Sequence, residues 1–257
     1  MSMFVITEGL PTENRTTAPP PTAPPRSPFA SAARGYVSAK VILEFVAALL
    51  LLILSTPLIL LAMILIKLTS RGAAIYSQTR IGKDGKPFTI YKLRSMREDS
   101  ESLTGVQWSQ PGDTRVTTVG RWLRKTHIDE LPQLWNVLCG DMSLIGPRPE
   151  RPEFMPTLEL AIPLYNERLR LRPGLTGFAQ IQLPPDSDLD SVRTKLAYDL
   201  YYVRHMSFLF DIVIYFGTLL KLINLTHQTI GKWCRLPARE SVENEYVQMT
   251  LPSATRN

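Results

Sequence analysis

The stretch VILEFVAALLLLILSTPLILLAMILI, residues 41–66, decides what kind of protein this is. Only Glu44, Ser55, Thr56 and Pro57 interrupt its apolar run. A soluble chain of 257 residues has no core that needs such a segment, so the sequence predicts membrane insertion. As one straight helix it would measure about 39 Å, ample to cross the hydrocarbon layer. Pro57, however, removes a backbone donor and clashes with the preceding turn, while Ser55 and Thr56 can bond back to freed carbonyls. Each half is then too short to cross alone. Arg26, Arg34 and Lys40 lie before the segment, and Lys67, Arg71, Arg80, Lys83 and Lys86 after it, which predicts that both ends stay cytoplasmic. The expectation is a re-entrant helix-break-helix that dips into one leaflet and returns. One kinked spanning helix is the alternative, because spanning helices tolerate proline.

Upstream, residues 1–35 carry seven of the chain's 21 prolines among Thr, Ala and Ser, a composition that cannot bury a core and predicts a disordered tail. Downstream, residues 198–223 are rich in aromatics, with Arg204, Asp211 and Lys221 among them. Their uncharged run is too short to span and predicts a helix lying in the membrane interface; a buried core helix is the competing reading. The overall balance of 29 Lys+Arg against 23 Asp+Glu suits anionic partners. No recognised nucleic-acid motif accompanies that charge, so nucleic acid is not expected. Cys139 and Cys234 have no metal-binding spacing and read as free thiols in a reducing compartment.

The soluble part begins with two short β-prone runs, 73–78 and 87–91, around Gly82-Lys83-Asp84-Gly85, a hairpin signal. The second run delivers Lys92 and Arg94, two apart and on one face, as solvated surface or as an anion clamp. A short basic helix follows at 120–125. Then comes Thr126-His127-Ile128-Asp129-Glu130-Leu131-Pro132-Gln133, with Thr126 placed to cap a new turn, Pro132 suited to a first helical turn and Gly140 to the stop. Asp129 and Glu130 would sit at the positive end of that helix, so one or both should stay ionised. An ionised aspartate among arginines suits attack on phosphorus or metal ligation, whereas simple helix capping is the plainer alternative. Two stiff turns complete the pattern. Gly146-Pro147-Arg148-Pro149 presents one guanidinium as a phosphate fork, and Arg172-Pro173-Gly174-Leu175-Thr176-Gly177 repeats the device with two glycines that would let a ligand approach the backbone.

In this order, these stretches resemble the bacterial sugar transferases, also called polyprenyl-phosphate glycosylphosphotransferases or monotopic phosphoglycosyl transferases. The resemblance covers residues 40–219 and rests on Gln78-Thr79-Arg80-Ile81-Gly82, Tyr91-Lys92-Leu93-Arg94-Ser95-Met96, Asp129-Glu130-Leu131-Pro132-Gln133-Leu134, the run from Gly140 to Pro149, and Arg172 to Gln180. It implies transfer of a sugar-1-phosphate from a UDP-sugar to undecaprenyl phosphate with release of UMP, a first membrane step in polysaccharide or glycoconjugate assembly. It also implies Asp129 as nucleophile forming a covalent phosphosugar, and Glu130 as ligand of Mg²⁺. Arg124, Arg148 and Arg172 match the family's phosphate and nucleotide contacts, with Pro147 and Pro149 flanking the central arginine and Lys92 and Arg94 near the entrance. Where the family commonly starts its re-entrant helix with Arg and Asp, this chain has Val41 and Glu44, which leaves the anchoring contact open. The chain resembles the minimal catalytic form, without the multi-helix membrane domain of larger members.

The resulting expectation is an α+β, mostly helical monotopic membrane protein with a re-entrant helix, a small β-hairpin and interfacial amphipathic helices. Its organisation would be a tail at 1–35, the membrane helix at 36–70, a cytosolic catalytic domain at 71–225 and a polar C-terminal tail at 226–257. It would work on the cytoplasmic face of a bacterial inner membrane, among membrane lipids, as a homodimer or with other polysaccharide-assembly enzymes.

Overall fold

A computed structural model describes residues 32–98, 112–186 and 188–251. The predicted Pro-rich tail falls almost wholly outside them. The first element, α1, runs from Ala32 to Thr69. It stays helical through Pro57, so the expected break is not an interruption of the helix. One turn back, Thr56 Oγ1 (2.7 Å) and Ser55 Oγ (3.3 Å) both donate to the Leu52 carbonyl. Pro57 takes the donor from the Ile53 carbonyl, one residue on, and the helix continues past that single loss.

One face of α1 is packed and the others are not. Glu44, Ala48, Ala62 and Ile66 are buried, with Leu52 and Ile59 partly covered, whereas Leu43, Leu50, Leu54, Leu61 and Leu68 are exposed. The spacing of the covered positions is the helical repeat, and the stripe runs nearly the whole length of the helix. Ala48 joins Ile90, Leu134, Val137, Met142 and Leu144 in one apolar cluster. Ala62 and Ile66 join Ala74, Leu93, Leu123 and Ile128 in another. Both ends of α1 therefore lie against the same domain.

The N-terminal end is also fixed by charge. Glu44 accepts from Ser143 Oγ and from the backbone N–H of Ile145 (3.1 Å), and it pairs with Lys40 at 3.2 Å. Lys40 in turn donates to Asp211 and to Tyr202 Oη (2.8 Å). Tyr36 Oη donates to Asp211 as well. Glu44 thus supplies an anchoring contact, and Lys40, one residue before Val41, supplies the cation.

The predicted hairpin forms from β1 (Ile75–Ile81) and β2 (Pro87–Leu93), antiparallel, joined through a 3-10 turn at Lys83–Gly85 with Asp84 in the left-handed region (φ 56°). Helices α2 (Thr118–Lys125) and α3 (Gln133–Cys139) follow, the second ending on Gly140 (φ 82°), as its sequence predicts. A second, parallel pair joins β3 (Ser143–Ile145) to β4 (Gly174–Thr176), with α4 (Met155–Ala161) in the crossover. Then come α5 (Phe178–Gln182), α6 (Leu189–His205) and α7 (Phe208–Leu222).

The aromatic C-terminal stretch divides between the two expected readings. Helix α6 is a core helix: Tyr198 and Tyr202 are buried with Phe178, Leu196 and Ile214 in the largest apolar cluster. Helix α7 instead buries Asp211, Ile214, Gly217 and Leu220 and leaves Phe208, Ile212, Phe216 and Leu219 exposed along one stripe. The described part of the polar segment after 225 is folded. It forms α8 (His227–Trp233) and α9 (Arg239–Thr250). Val242 and Tyr246, one helical turn apart, dock α9 on the core, and Tyr246 Oη donates to the Pro163 carbonyl at 3.0 Å.

Candidate active site

The acidic pair is held by an irregular backbone. Thr117 caps the start of α2, its hydroxyl accepting from Gly120 N–H at 2.9 Å. At the other end Thr126 closes α2, donating to the carbonyls of Trp122 (2.9 Å) and Leu123 (3.1 Å). Thr126 therefore ends one helix and does not cap the next, contrary to expectation. The chain reverses at His127 (φ 56°) and winds through a 3-10 turn at Ile128–Glu130 before α3. Neither carboxylate caps α3, whose N-cap position is Pro132 with no side-chain bond. The capping explanation for the two acids thus fails, and they are left for other work.

Cations from distant segments converge on them. Glu130 Oε1 accepts from Arg148 Nη2 at 2.6 Å and from Lys92 Nζ at 3.0 Å. Both contacts fall on one oxygen, and Oε2 has no hydrogen-bond partner among the described residues. Burial acts to raise the Glu130 pKa, but Arg148 and Lys92 outweigh it and hold the carboxyl well below its usual range. Asp129 is 7 % exposed, and burial followed by the Glu130 charge pushes it up to about 6, against Lys92, Arg124 and Arg148. The two acids are driven apart. Glu130 is held in its charged form by its ion pairs, whereas the charge on Asp129 is only weakly stabilised. The cause is ion pairing and burial, in place of the helix end that the sequence suggested.

Arg124 donates from Nε to Ser95 Oγ at 2.8 Å, and its charge acts on Asp129. Arg148 is aimed by its backbone: its carbonyl accepts from Arg168 Nη2 (2.7 Å), and the Pro149 carbonyl accepts from Arg80 Nη1 (3.3 Å). Arg168 is buried, ion-paired with Asp199 at 2.7 Å and donating to Tyr165 Oη at 2.8 Å. Pro147 contributes its carbonyl to Gly174 N–H at 2.9 Å. The two stiff turns thus pack on each other. A Cβ at Gly174 would stand 2.1 Å from Gly146 N, and one at Gly177 would stand 2.2 Å from Gly146 O. These glycines admit the neighbouring backbone, where the sequence suggested a ligand.

Two expected site residues lie elsewhere. Arg94 is buried and donates to the Ser70 carbonyl (3.2 Å) and hydroxyl (2.8 Å), tying β2 to the end of α1. Arg172 sits beside Gly140, at the far end of α3 from the acids. Conversely, His127 and Lys221 belong to the electrostatic surroundings of Glu130, and Lys221 donates to the Gln180 carbonyl at 2.6 Å. His127 is next to the acids in sequence, but nothing local marks Lys221 or Arg168, which reach the site only through tertiary packing.

Among the described residues no group of three or more His, Cys, Asp or Glu is placed to hold a metal. That donor set still fits Mg²⁺, which takes one or two carboxylates and completes its shell with water and substrate phosphate. The open Oε2 of Glu130, beside Asp129, is the available ligand atom.

Buried Asp129 and half-buried Glu130 are ringed by cations, on a domain packed along a long apolar helix. The family model described as bacterial sugar transferase matches residues 35–225, and the chain belongs to that family. It is 45% identical over 177 residues to the UDP-N-acetylgalactosamine-undecaprenyl-phosphate N-acetylgalactosaminephosphotransferase of Aeromonas hydrophila, covering 69% of this chain and 42% of that protein's length. To the UDP-glucose:undecaprenyl-phosphate glucose-1-phosphate transferase of Caulobacter vibrioides it is 46% identical over 188 residues, 72% of this chain and 69% of the relative. A putative undecaprenyl-phosphate N-acetylgalactosaminyl 1-phosphate transferase of Bacillus subtilis is 49% identical over 151 residues, 57% of this chain and 84% of its own.

Proposed function

We propose that this chain transfers a sugar-1-phosphate from a UDP-sugar to undecaprenyl phosphate, in two displacements through Asp129, at the cytoplasmic face of a bacterial inner membrane. A carboxylate oxygen of Asp129 attacks the sugar-bearing phosphorus, the bond from that phosphorus to the bridging oxygen breaks, and UMP leaves with the bond's electrons. An oxygen of undecaprenyl phosphate then attacks the same phosphorus, forming the diphosphate and freeing the carboxylate. The observation that carries this reading is the divergence of Asp129 and Glu130: a desolvated, weakly stabilised carboxylate beside one fixed by Arg148 and Lys92.

Arg148, Lys92 and Arg124 offset the repulsion between an anionic nucleophile and an anionic diphosphate, and they stabilise charge developing on the leaving UMP. Glu130 would hold Mg²⁺ through Oε2. A metal held there would supply charge neutralisation at the donor's diphosphate. Packing of α1 along the domain at both ends supports a re-entrant seat in one leaflet, because a lone spanning helix would carry one end away. The exposed stripe of α7 would lie at the headgroup level of the same leaflet.

The test is the nucleotide product. Membranes holding this chain, supplied with undecaprenyl phosphate and a panel of UDP-sugars, should release UMP with at least one of them. Release of UDP instead would rule out phosphosugar transfer. The relatives' names divide between glucose and N-acetylgalactosamine, so the panel must contain both.

A further inference from the structure

A second cationic hollow opens at the other end of α3, beside the first turns of α1. It encloses about 120 Å³. Lys83, from the hairpin turn, and Arg172 line it, and neither side chain has a hydrogen-bond or ion-pair partner among the described residues. Arg170 also lines it, half-exposed and paired with Glu167 at 2.7 Å. Among the described residues one carboxylate lines the wall, Glu44, and it is already bonded to Lys40, Ser143 and Ile145 N–H. Among the described residues the hollow therefore carries a net positive charge, with the Lys83 and Arg172 side chains unpaired. Its remaining wall is apolar and includes Val37, Val41 and Met206. Val37, Val41 and Phe45 follow at four-residue steps and are all exposed, so an apolar track leads from the hollow along α1.

The geometry points to a binding site for the headgroup of an anionic phospholipid, with its phosphate against Arg172 and Lys83 and an acyl chain along Val37, Val41 and Phe45. Free cations close to an apolar track suit an amphiphile better than a soluble anion. The site is separate from the reacting centre. Arg172 lies beside Gly140, whereas Asp129 precedes α3, whose seven residues alone span about 10 Å. A phosphate held there is too far from Asp129 to react, so the occupant is a resident lipid and not the acceptor in its reacting pose. The role is to fix the depth and tilt of α1's first turns. It rests on the membrane seating of α1 proposed above, and not on the transfer chemistry.

The test uses the full chain in nanodiscs of phosphatidylcholine and phosphatidylglycerol, with the lipids that stay bound after release counted by native mass spectrometry. Retained phosphatidylglycerol should be enriched about tenfold over its share of the disc. Lys83→Gln combined with Arg172→Gln should abolish the enrichment. Arg121→Gln combined with Lys125→Gln, on the exposed side of α2, should keep it. No enrichment in the unaltered chain, or equal enrichment in the first double variant, would overturn the site. Displacement of the bound lipid by millimolar inorganic phosphate would make it a free-anion site, and displacement by equimolar undecaprenyl phosphate would make it the acceptor's. Either result also overturns the proposal. Failure to enter the discs at all refutes the membrane seating instead, which separates the two claims.

Discussion

Asp129 and Glu130 differ by one position, yet their surroundings assign them opposite electrostatic characters. Asp129→Asn keeps the shape and removes the attacking oxygen's charge, so turnover should drop by about 10³-fold or more with the fold intact by circular dichroism. Retained activity would mean that another group attacks. Because burial and Glu130 push Asp129 up to about 6, kcat/KM should fall as pH drops through about 6, where the carboxylate takes up a proton. Undiminished kcat/KM at pH 5 would contradict the assignment. Arg148 lowers the pKa of both acids, so Arg148→Gln should move that acid limb to higher pH as well as slow the reaction. A slower enzyme with an unmoved limb would mean that Arg148 acts only on substrate. At this scale the acids and Arg148 were legible in the sequence because they are contiguous with stiff turns. Lys221 and Arg168 were not, since each arrives from a helix or turn whose local pattern gives no sign of it.

The elements that carry the site are held by close backbone contact and by buried charge. Gly174→Ala would push a Cβ into Gly146 N, so it should cost about 2–4 kcal/mol and lower the thermal midpoint by roughly 10 °C. A change within a degree or two would show that the turns can separate. Glu44→Ala removes one of Lys40's two carboxylate partners and takes the acceptor from Ser143 Oγ and Ile145 N–H, and it should cost about 3 kcal/mol, measured by chemical unfolding in micelles. Full stability would mean that apolar packing alone seats α1. The hairpin, α2 and the stop of α3 at Gly140 follow from turn chemistry and periodicity, which act locally. Helix α6 and the helices after residue 225 did not follow. Tyr198 and Tyr202 look amphipathic in sequence but are covered by neighbours from Phe178 and Ile214. The docking of α9 depends on two residues, Val242 and Tyr246, in an otherwise polar run.

For the whole molecule, the proposed placement is a domain lying against one leaflet, which suits the packed stripe of α1 and the exposed stripe of α7. Single cysteines placed at Ser38 and Ser70 should therefore be labelled from the same side of sealed vesicles. Labelling from opposite sides would favour a spanning helix. Sequence alone identified the apolar segment but could not say that its two ends meet one domain, because that depends on Ala48 and Ala62 finding partners far along the chain. In the proposed reaction, what joins the membrane seat to the chemistry is a single event, the transient attachment of the sugar phosphate to Asp129. The most direct measurement is mass mapping of the chain after brief exposure to a UDP-sugar without acceptor. A sugar-phosphate on the peptide containing Asp129, discharged when undecaprenyl phosphate is added, is the predicted result. A productive enzyme that carries no such adduct, or carries it on another residue, would contradict the account.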